Sequence, residues 1–360
     1  MIRKGSSIIS PHLKSVLLIQ LGDIGDIVLS FPCAAAIRKN FPHAHITMAI
    51  RPKGGDLLSC CPHIDETVWI DDKKQPIARA ALSQIRFFVK LRDKSFDLAI
   101  DLRTGTRGAI LAFLTGAQRR IGFFSNGEPF WRNLLFTDLA SPYEPKNTHI
   151  SHYYTSLLSD FGIVISQTWP EMRVPQSVMH TIALRLMHIR ANSGDRKLVV
   201  IQPFSLWRYK EWGDEKFADF ISRLCTETHS FVIIVGSSAE RERAEALAAR
   251  ASSFVANWAG QTSLAQLAAL VAQASLFIGV DSAGMHIAAA VGTATVTIFG
   301  PSSAADWAPR GDIHTTVTPD WPCSPCFQKG CRDSGISDCL IRLPVQSVFE
   351  AVSRRLFGIK

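Results

Sequence analysis

The residues whose types and spacing most clearly suggest a ligand-binding site are 277–301, which read FIGVDSAGMHIAAAVGTATVTIFGP. An apolar strand ends at Asp281, the small residues 282–284 follow, and an alanine-rich helix runs to about Val291. We expect free backbone N–H groups and the positive end of the helix dipole at this turn, where parallel α/β sheets bind ligands. Ser282, Ala283 and Gly284 are small enough to let an anion approach the backbone, and Asp281 is an acceptor suited to sugar hydroxyls. The alternative is that Asp281 or Ser282 is only the helix N-cap.

A second group of candidate residues follows the first apolar strand, residues 15–21 (SVLLIQL). Asp23 and Asp26 lie there in a glycine-containing loop that is not GxGxxG, and two acids would repel a phosphate. The alternative is that both acids only cap a helix or close a turn. Basic residues follow the carboxyl ends of the neighbouring strands, and they are Arg51, Lys53, Arg103 and Arg107. Four cations at one sheet edge predict a site for an anionic ligand, although any one of them could be ordinary solvated surface.

Strands that alternate with helices position these residues. In the first half the predicted strands are 15–21, 45–50, 66–70, 96–101 and 119–123, and a basic helix is predicted at 77–93. In the second half they are 197–202, 230–235, 254–258, 276–280 and 294–299. The pattern predicts an α/β protein with two Rossmann-like, doubly wound parallel-sheet domains facing across a cleft. We place the N-terminal domain at 1–170, the C-terminal domain at 171–343, and a final helix at 344–360 that is expected to pack on the N-terminal domain.

Composition restricts the class of protein. The chain has 360 residues, of which 47% are hydrophobic and 19% charged, as in globular proteins. No run approaches the ~18 apolar residues that span a bilayer, and the apolar stretch at the start is too short for a signal peptide. We therefore expect a cytoplasmic protein. The formal net charge of +8 favours an anionic partner, either an acidic substrate or a phospholipid surface. Nucleic acid is not expected, because no basic tract is interleaved with aromatic residues.

Four of the eight cysteines fall in one segment, at Cys323, Cys326, Cys331 and Cys339. Four thiolates could bind zinc or iron, and CxxC is a usual half-site. The second pair is spaced more widely than in standard metal motifs, so a disulfide cross-link and reduced packing thiols remain as alternatives. No arrangement for activating a nucleophile accompanies these cysteines, and we do not expect them to be catalytic.

Four motifs taken together resemble the bacterial lipopolysaccharide heptosyltransferases of glycosyltransferase family 9. They are GDIVLSFP at 25–32, KEW at 210–212, GSSAE at 236–240 and DSAGMH at 281–286. The resemblance covers nearly the whole chain, and DSAGMH followed by GTATVTIFGP is its most specific part. In the family the fourth motif more often reads D-T-G-x-x-H, so Ser282 and Ala283 depart from the pattern while keeping the side chains small.

The resemblance implies a GT-B enzyme that transfers heptose from ADP-heptose with inversion at the anomeric carbon. Asp26 matches the family's general base, which accepts the proton of the attacking hydroxyl. Asp23 is the alternative base, although it lies outside the core motif. Lys210 matches the lysine that contacts the donor phosphates, and the family uses no divalent metal, so we expect no metal cofactor for transfer.

The remaining donor contacts also follow from the resemblance. Glu240 matches the position that contacts the nucleoside ribose, but a first-turn acid would be equally natural there as a helix-stabilising group. Asp281 is expected to contact hydroxyls of the donor sugar. Backbone N–H groups of Ser282, Ala283 and Gly284 are expected to bind the diphosphate. His286, one helical turn further, either orients this loop or is an inert helix residue.

The family's acceptor is Kdo-bearing lipid A or a partly built core, whose carboxylates and phosphates would suit arginine side chains. The resemblance therefore implies a peripheral enzyme at the inner face of the inner membrane. Three rival functions remain open. They are a family-9 transferase that uses another sugar nucleotide or acceptor, a non-catalytic sugar-nucleotide-binding protein, and a sugar-nucleotide epimerase.

Overall fold

The computed structural model describes residues 3–4, 9, 12–70, 86–127, 129–141, 148–190, 194–251 and 253–358. The chain forms two compact units, Met1–Pro170 and Glu171–Lys360. Each unit contains one parallel sheet with an apolar core of its own. This alternation of buried strands and helices is the α/β pattern that the sequence predicts.

The first unit is built on a seven-stranded parallel sheet with the order β1-β7-β6-β5-β2-β3-β4. Its strands are β1 (Arg3–Lys4), β2 (Ser15–Gln20), β3 (His45–Ile50), β4 (Glu66–Trp69), β5 (Leu98–Asp101), β6 (Arg119–Phe123) and β7 (Asp138–Ala140). Five consecutive residues of β2 are buried, as expected for a central strand that is covered on both faces.

The helices of the first unit are α1 (Ile24–Leu29), α2 (Phe31–Asn40), α3 (residues 86–93), α4 (Thr106–Leu114) and α5 (Ile150–Ser159). Short 3₁₀ turns lie at Pro52–Gly54, Leu57–Cys60 and Phe130–Leu135. Ser30 separates α1 from α2, and Pro32 lies in the first turn of α2, where its missing N–H removes no helix hydrogen bond. The part of the predicted basic helix at 77–85 lies outside the described residues.

The second unit is built on a six-stranded parallel sheet with the order β10-β9-β8-β11-β12-β13. Its strands are β8 (Lys197–Gln202), β9 (Ser230–Ile234), β10 (Val255–Asn257), β11 (Leu276–Val280), β12 (Thr295–Ile298) and β13 (His314–Val317). Its helices are α6 (Gln176–Arg190), α7 (Asp214–Glu227), α8 (Arg241–Ala251), α9 (Leu264–Ala272), α10 (Ala283–Ala290), α11 (Ala304–Trp307), α12 (Asp338–Arg342) and α13 (Val345–Phe357). Further 3₁₀ turns lie at Arg208–Lys210, Ser238–Glu240 and Cys331–Asp333.

The apolar face of the final helix, α13, packs differently from the sequence expectation. Val348, Phe349 and Val352 are buried in the core of the second unit, together with residues of α7. Trp212 in the same core donates its indole N–H to the carbonyl of Leu343 at 3.0 Å, just before α13 begins. The expectation that this helix packs on the N-terminal domain is therefore corrected. Its apolar stripe is used within the unit that it follows in the chain.

Candidate active site

In the first unit, Asp26 lies in the first turn of α1, beyond the carboxyl end of β2, and is only 8% exposed. Its Oδ1 accepts the Tyr154 hydroxyl at 2.7 Å. Its Oδ2 accepts Arg103 Nη1 at 2.8 Å and the backbone N–H of Asp23 at 2.8 Å. We call Asp26, Tyr154 and Arg103 the Asp26 cluster. The predicted helix-capping role of Asp26 is real, yet two side chains from distant parts of the chain also orient the carboxylate.

Tyr154 reaches Asp26 from the buried face of α5. Burial, together with the Asp26 charge, raises the pKa of Tyr154 well above its ordinary value, so the phenol remains a hydrogen-bond donor. Burial lowers the pKa of Arg103, but the Asp26 carboxylate outweighs this and the net pKa is raised. The cluster therefore consists of two permanent donors that surround one carboxylate.

A buried ion pair supports the loop that carries Arg103. Asp101, the last residue of β5, accepts the Arg103 backbone N–H at 3.1 Å and lies 3.6 Å from the guanidinium of Arg132. Arg132 also donates to the Arg103 carbonyl at 2.8 Å. Burial raises the pKa of the Asp101 carboxyl to about 7, although Arg132 opposes the rise.

The other predicted residues at this edge are arranged unequally. Asp23 is largely exposed and forms an ion pair with Lys53. Gly22 precedes Asp23, and no larger residue fits there without displacing its neighbours. An added Cβ would lie 2.3 Å from Arg103 Nη1 and 2.4 Å from Asp26 Oδ2. Arg51 is half-buried and Arg107 is exposed at the start of α4. The edge is therefore cationic around one buried carboxylate.

In the second unit, Lys210 and Asp281 form a direct ion pair, with Lys210 Nζ 2.6 Å from Asp281 Oδ2. Ser302 Oγ donates to the same carboxylate oxygen at 2.5 Å, and Ser205 Oγ donates to the Asp281 backbone carbonyl at 3.1 Å. We call these four residues the Lys210 cluster. They come from the ends of β8, β11 and β12, three adjacent strands of the sheet.

The residues that follow Lys210 anchor its loop. Glu211 accepts Arg243 Nη2 at 2.7 Å and the Ser205 backbone N–H at 3.2 Å. Trp212 is buried against Phe217, with ring centroids 5.1 Å apart. Glu211 and Trp212 of the KEW motif thus hold the loop in place. Lys210, which is partly exposed, is the residue of the motif that could contact a ligand.

The turn into α10 is as tight as its small residues suggest. An added Cβ on Gly284 would lie 1.9 Å from Gln202 Oε1 and 2.9 Å from the Phe277 ring, so only glycine fits there. Ser282 is the N-cap of the eight-residue α10, and Ala283 opens the helix. Within the described residues, Ser282 Oγ and Gln202 Oε1 are buried atoms without a hydrogen-bond partner. Backbone donors and unsatisfied side-chain atoms therefore meet beside Asp281.

Glu240 lies in the 3₁₀ turn after β9 and makes a capping contact. Its Oε2 accepts the backbone N–H of Ser237 at 2.6 Å, which closes a reciprocal capping box. Of the two interpretations made from the sequence, the helix-stabilising one describes this contact. The ribose-binding role of Glu240 stays a prediction. Its other carboxylate oxygen, Oε1, takes no part in this hydrogen bond. His286 is buried, with its ring 6.4 Å from that of Trp307.

The cysteine-rich segment, 323–339, lies against the Lys210 cluster. Ser324 Oγ donates to the Gly300 carbonyl at 2.8 Å, the Phe327 N–H donates to the Pro301 carbonyl at 2.7 Å, and Ser337 Oγ donates to the Tyr209 carbonyl at 2.6 Å. The segment thus braces the residues beside Ser302 and Lys210. This contact gives it a structural connection to the donor side of the candidate site.

The thiols of this segment are Cys323, Cys326, Cys331 and Cys339, and all four are free in the structure. Burial raises the pKa of Cys339, and the other three thiols add to the rise. Among the described residues, no three His, Cys, Asp or Glu side chains are grouped closely enough to hold a metal ion. The metal, cross-link and reduced-thiol interpretations of this segment stay predictions.

Several site residues had no motif to identify them. Tyr154 lies 128 residues from Asp26 in the chain, and the one usable signal was a phenol on the apolar face of α5, because a buried tyrosine hydroxyl needs a partner. Ser302 and Ser205 follow predicted strands and Gln202 ends one, at the edge where ligand-facing residues concentrate. Their role depends on which strands are neighbours, and that order could not be read along the chain.

The comparisons with known proteins agree with this arrangement. The family model described as glycosyltransferase family 9 (heptosyltransferase) matches residues 84–336. Lipopolysaccharide heptosyltransferase 3 of Escherichia coli is 30% identical over 291 residues, which are 79% of this chain and 83% of that protein.

Solved structures show the fold. The E. coli ADP-heptose lipopolysaccharide heptosyltransferase II matches with a TM-score of 0.78 at 21% identity, over 96% of this chain and 99% of that one. E. coli heptosyltransferase WaaC, solved with ADP-2-deoxy-2-fluoro heptose, matches with a TM-score of 0.71 at 16% identity, over 94% and 99% of the two chains. The predicted pair of Rossmann-like domains of the GT-B type is confirmed.

Proposed function

This chain belongs to glycosyltransferase family 9, and we propose that it transfers heptose from ADP-heptose to the lipopolysaccharide inner core with inversion. Family membership and the similarity to a lipopolysaccharide heptosyltransferase support the donor and the acceptor class. The observation that carries the mechanism is the Asp26 cluster, a buried carboxylate that three hydrogen bonds hold in one orientation.

Asp26 is the general base. An inverting displacement requires a group that takes the proton of the acceptor hydroxyl as the new bond forms. Oδ2 is occupied by Arg103 and the Asp23 N–H, whereas Oδ1 accepts only the Tyr154 hydroxyl among the described hydrogen bonds and has a second lone pair. Oδ1 is therefore the atom that would accept the proton. Asp23, the alternative base, is largely exposed, and its carboxylate is already engaged by Lys53 and by the first turn of α1, so we favour Asp26.

Lys210 and the turn into α10 stabilise the leaving ADP. The ammonium group neutralises charge that develops on the diphosphate, and the N–H groups of Ser282, Ala283 and Gly284 donate to its oxygens. Asp281 positions Lys210 before the donor arrives and then contacts hydroxyls of the sugar. Since these groups supply both positive charge and donors, the proposed transfer needs no divalent metal. Glu240 would contact the ribose through its second carboxylate oxygen.

The cationic edge around Asp26 binds the acceptor. Arg51, Lys53, Arg103 and Arg107 follow strand ends of the first unit, and Kdo carboxylates or core phosphates would suit their charge. Such an acceptor is held in a membrane, so the reaction would take place at the inner face of the inner membrane.

The first test is ADP release from ADP-heptose with a Kdo-bearing lipid A acceptor, in the presence of EDTA. We expect release by the wild-type protein to depend on acceptor and to be insensitive to EDTA. Asp26→Asn should release ADP at least ~10²-fold more slowly, because it removes the base while keeping the side-chain shape. Asp23→Asn is the matched control, and it should stay near the wild-type rate. The anomeric configuration of the product, read by NMR, tests inversion.

Each other outcome removes a defined part of the proposal. Wild-type activity in Asp26→Asn would keep the transferase and reject its base. Tight binding of ADP-heptose, with no ADP release in the presence of any core acceptor, would favour a non-catalytic binding protein. Sensitivity to EDTA would reject the assignment of Lys210 and the α10 turn as sufficient for leaving-group stabilisation.

A further inference from the structure

The 3₁₀ turn Phe130–Leu135 in the first unit exposes large apolar side chains. Phe130 is 81% exposed, Leu134 is 72% exposed and Trp131 is 37% exposed. Single exposed apolar residues are common on protein surfaces, whereas a group of large ones on one short element marks an interaction site. The proposed chemistry at Asp26 makes no use of these three side chains.

Hydrogen bonds from polar side chains within the turn hold its backbone in place. Arg132, in its middle, is buried and donates to the carbonyls of Phe123 at 2.7 Å and Arg103 at 2.8 Å. The side chain of Asn133 exchanges two hydrogen bonds with the backbone of Ser125, at 2.8 and 3.1 Å. The apolar side chains are therefore presented outward by a backbone that its polar neighbours hold in place.

The neighbouring helix extends this surface. Ile110 and Phe113 on α4 are 38% and 49% exposed and lie three residues apart on one helix face. Arg120 connects the two elements, because it donates from Nε to the Leu135 carbonyl at 2.8 Å while its guanidinium lies 5.6 Å from the centre of the Phe113 ring. We call Ile110, Phe113, Phe130, Trp131 and Leu134 the apolar surface.

The segment that carries the apolar surface is rich in arginine. Residues 103–136 contain five arginines, at 103, 107, 119, 120 and 132, and a single acid, Glu128. Arg103, Arg119 and Arg132 are paired with Asp26, Asp138 and Asp101, respectively. Arg107 is exposed one helical turn before Ile110 on α4. The segment as a whole thus combines exposed aromatic and aliphatic groups with an excess of positive charge.

We propose that the apolar surface inserts into the interfacial region of a bilayer that contains anionic lipid. A tryptophan and two phenylalanines suit the level of the lipid headgroups, and arginine suits anionic lipid. None of the described helices is long and apolar enough to cross a membrane. The proposal rests on the proposed function, whose acceptor is a lipid, and it names the part of the first unit that meets the membrane.

The test is co-sedimentation of the full chain with vesicles of phosphatidylcholine, prepared with or without phosphatidylglycerol. We expect wild-type protein to bind the anionic vesicles and to be released by salt. The double variant Phe130→Ser/Leu134→Ser should bind at least about 10-fold more weakly, because two exposed apolar side chains are lost. The double variant Leu184→Ser/Met187→Ser removes two exposed apolar residues of α6 in the second unit, and it should bind like wild type.

Three results would overturn the proposal. They are no vesicle binding by wild type, equal binding by both double variants, and a dimer of the wild-type chain that Phe130→Ser/Leu134→Ser abolishes in sedimentation velocity. ADP binding and thermal unfolding of the variants check that they are folded. Transfer to a deacylated, water-soluble acceptor separates this proposal from the proposed function, because the surface variant should keep that activity. Failure of transfer with intact vesicle binding would reject the proposed function alone.

Discussion

The Asp26 cluster and the Lys210 cluster occupy the same kind of position in two different sheets, beyond the carboxyl ends of parallel strands. They are built in opposite ways. Both carboxylate oxygens of Asp26 are already hydrogen-bonded by the side chains or backbone of its own unit. In the second unit, Ser282 Oγ and Gln202 Oε1 have no hydrogen-bond partner within the described residues, and among the same residues the one ion pair of the Lys210 ammonium group is with Asp281.

The difference corresponds to two different tasks. A general base acts well only if its oxygen is oriented before the substrate hydroxyl arrives. A diphosphate site must instead leave donors and space for the ligand, so its polar groups are incompletely satisfied without it. The Asp26 cluster is consistent with a preorganised proton acceptor. The Lys210 cluster is consistent with a binding site whose polar groups are satisfied only when the donor is bound.

The largest effect that would distinguish the clusters, apart from loss of the base, is expected from Lys210→Ala. Removing the charge that stabilises the leaving group should lower kcat by about 10²–10³-fold and also weaken ADP binding. Asp26→Asn, by contrast, should leave ADP binding unchanged. Kinetics of ADP release, together with calorimetric ADP titration, measure both quantities.

Arg208→Ala is the matched control for Lys210→Ala. Arg208 belongs to the same 3₁₀ turn and is mostly exposed, 3.9 Å from Glu211. We expect nearly wild-type kinetics for this control. Equal losses in both variants would mean that the general positive potential of the turn matters, and that the position of Lys210 does not.

Gly284→Ala tests whether the backbone of the α10 turn belongs to the donor site. Its Cβ would be 1.9 Å from Gln202 Oε1, so the turn or the Gln202 side chain must move. We expect at least a ~10-fold loss of ADP affinity and about 1–3 kcal/mol lower stability, as for other overpacked sites. Gly105→Ala is the control, because a Cβ there meets nothing within 4 Å and the φ of −74° suits any residue. An unchanged ADP affinity in Gly284→Ala would reject the α10 turn as part of the donor site.

The sequence was sufficient for the framework of both units. Hydrophobic runs predicted most of the strands, and β3, β6 and β8 have the predicted bounds. β1, β7 and β13 were missed. β7 has three residues within an aperiodic stretch, and β13 (HTTV) is a half-buried strand without an apolar run. The resemblance to family 9 is confirmed, and it depended on short motifs at the ends of strands rather than on composition.

The chemistry of each cluster was less predictable than its position. DSAGMH and KEW identified Asp281 and Lys210, but not that the two side chains are paired. Ser302 joins them because β12 is next to β11 in the sheet. Tyr154 reaches Asp26 because α5 packs near α1, and no local pattern in the sequence records that packing. Strand order and helix packing bring such residues together, and both are properties of the folded chain.

Tyr154→Phe tests whether preorganisation of Asp26 matters. The change keeps the ring and removes the hydroxyl that donates to Oδ1. We expect kcat to fall about 10-fold, because a hydrogen bond to a charged group is lost, with the KM values for donor and acceptor unchanged. A purely structural role of Tyr154 would instead lower stability without this selective effect on kcat. Tyr153→Phe, next in the chain and stacked on Phe123, is the control and should keep the wild-type kcat.

The smallest effect on transfer, but a distinct one on stability, is expected from Asp101→Asn beneath Arg103. Burial raises the pKa of Asp101 from 3.8 to about 7 in the folded protein. Between these values the folded state holds a proton that the unfolded state has lost. The contribution of Asp101 is therefore fully present below pH 4 and is lost as the pH rises towards 7. Asn does not titrate, so the free energy of unfolding of wild type relative to the variant should fall by at most about 4 kcal/mol across this window. Urea unfolding at several pH values measures it, and parallel stability curves would show that the Asp101 carboxyl beneath the Asp26 cluster is charged throughout, stabilised by Arg132 in spite of its burial.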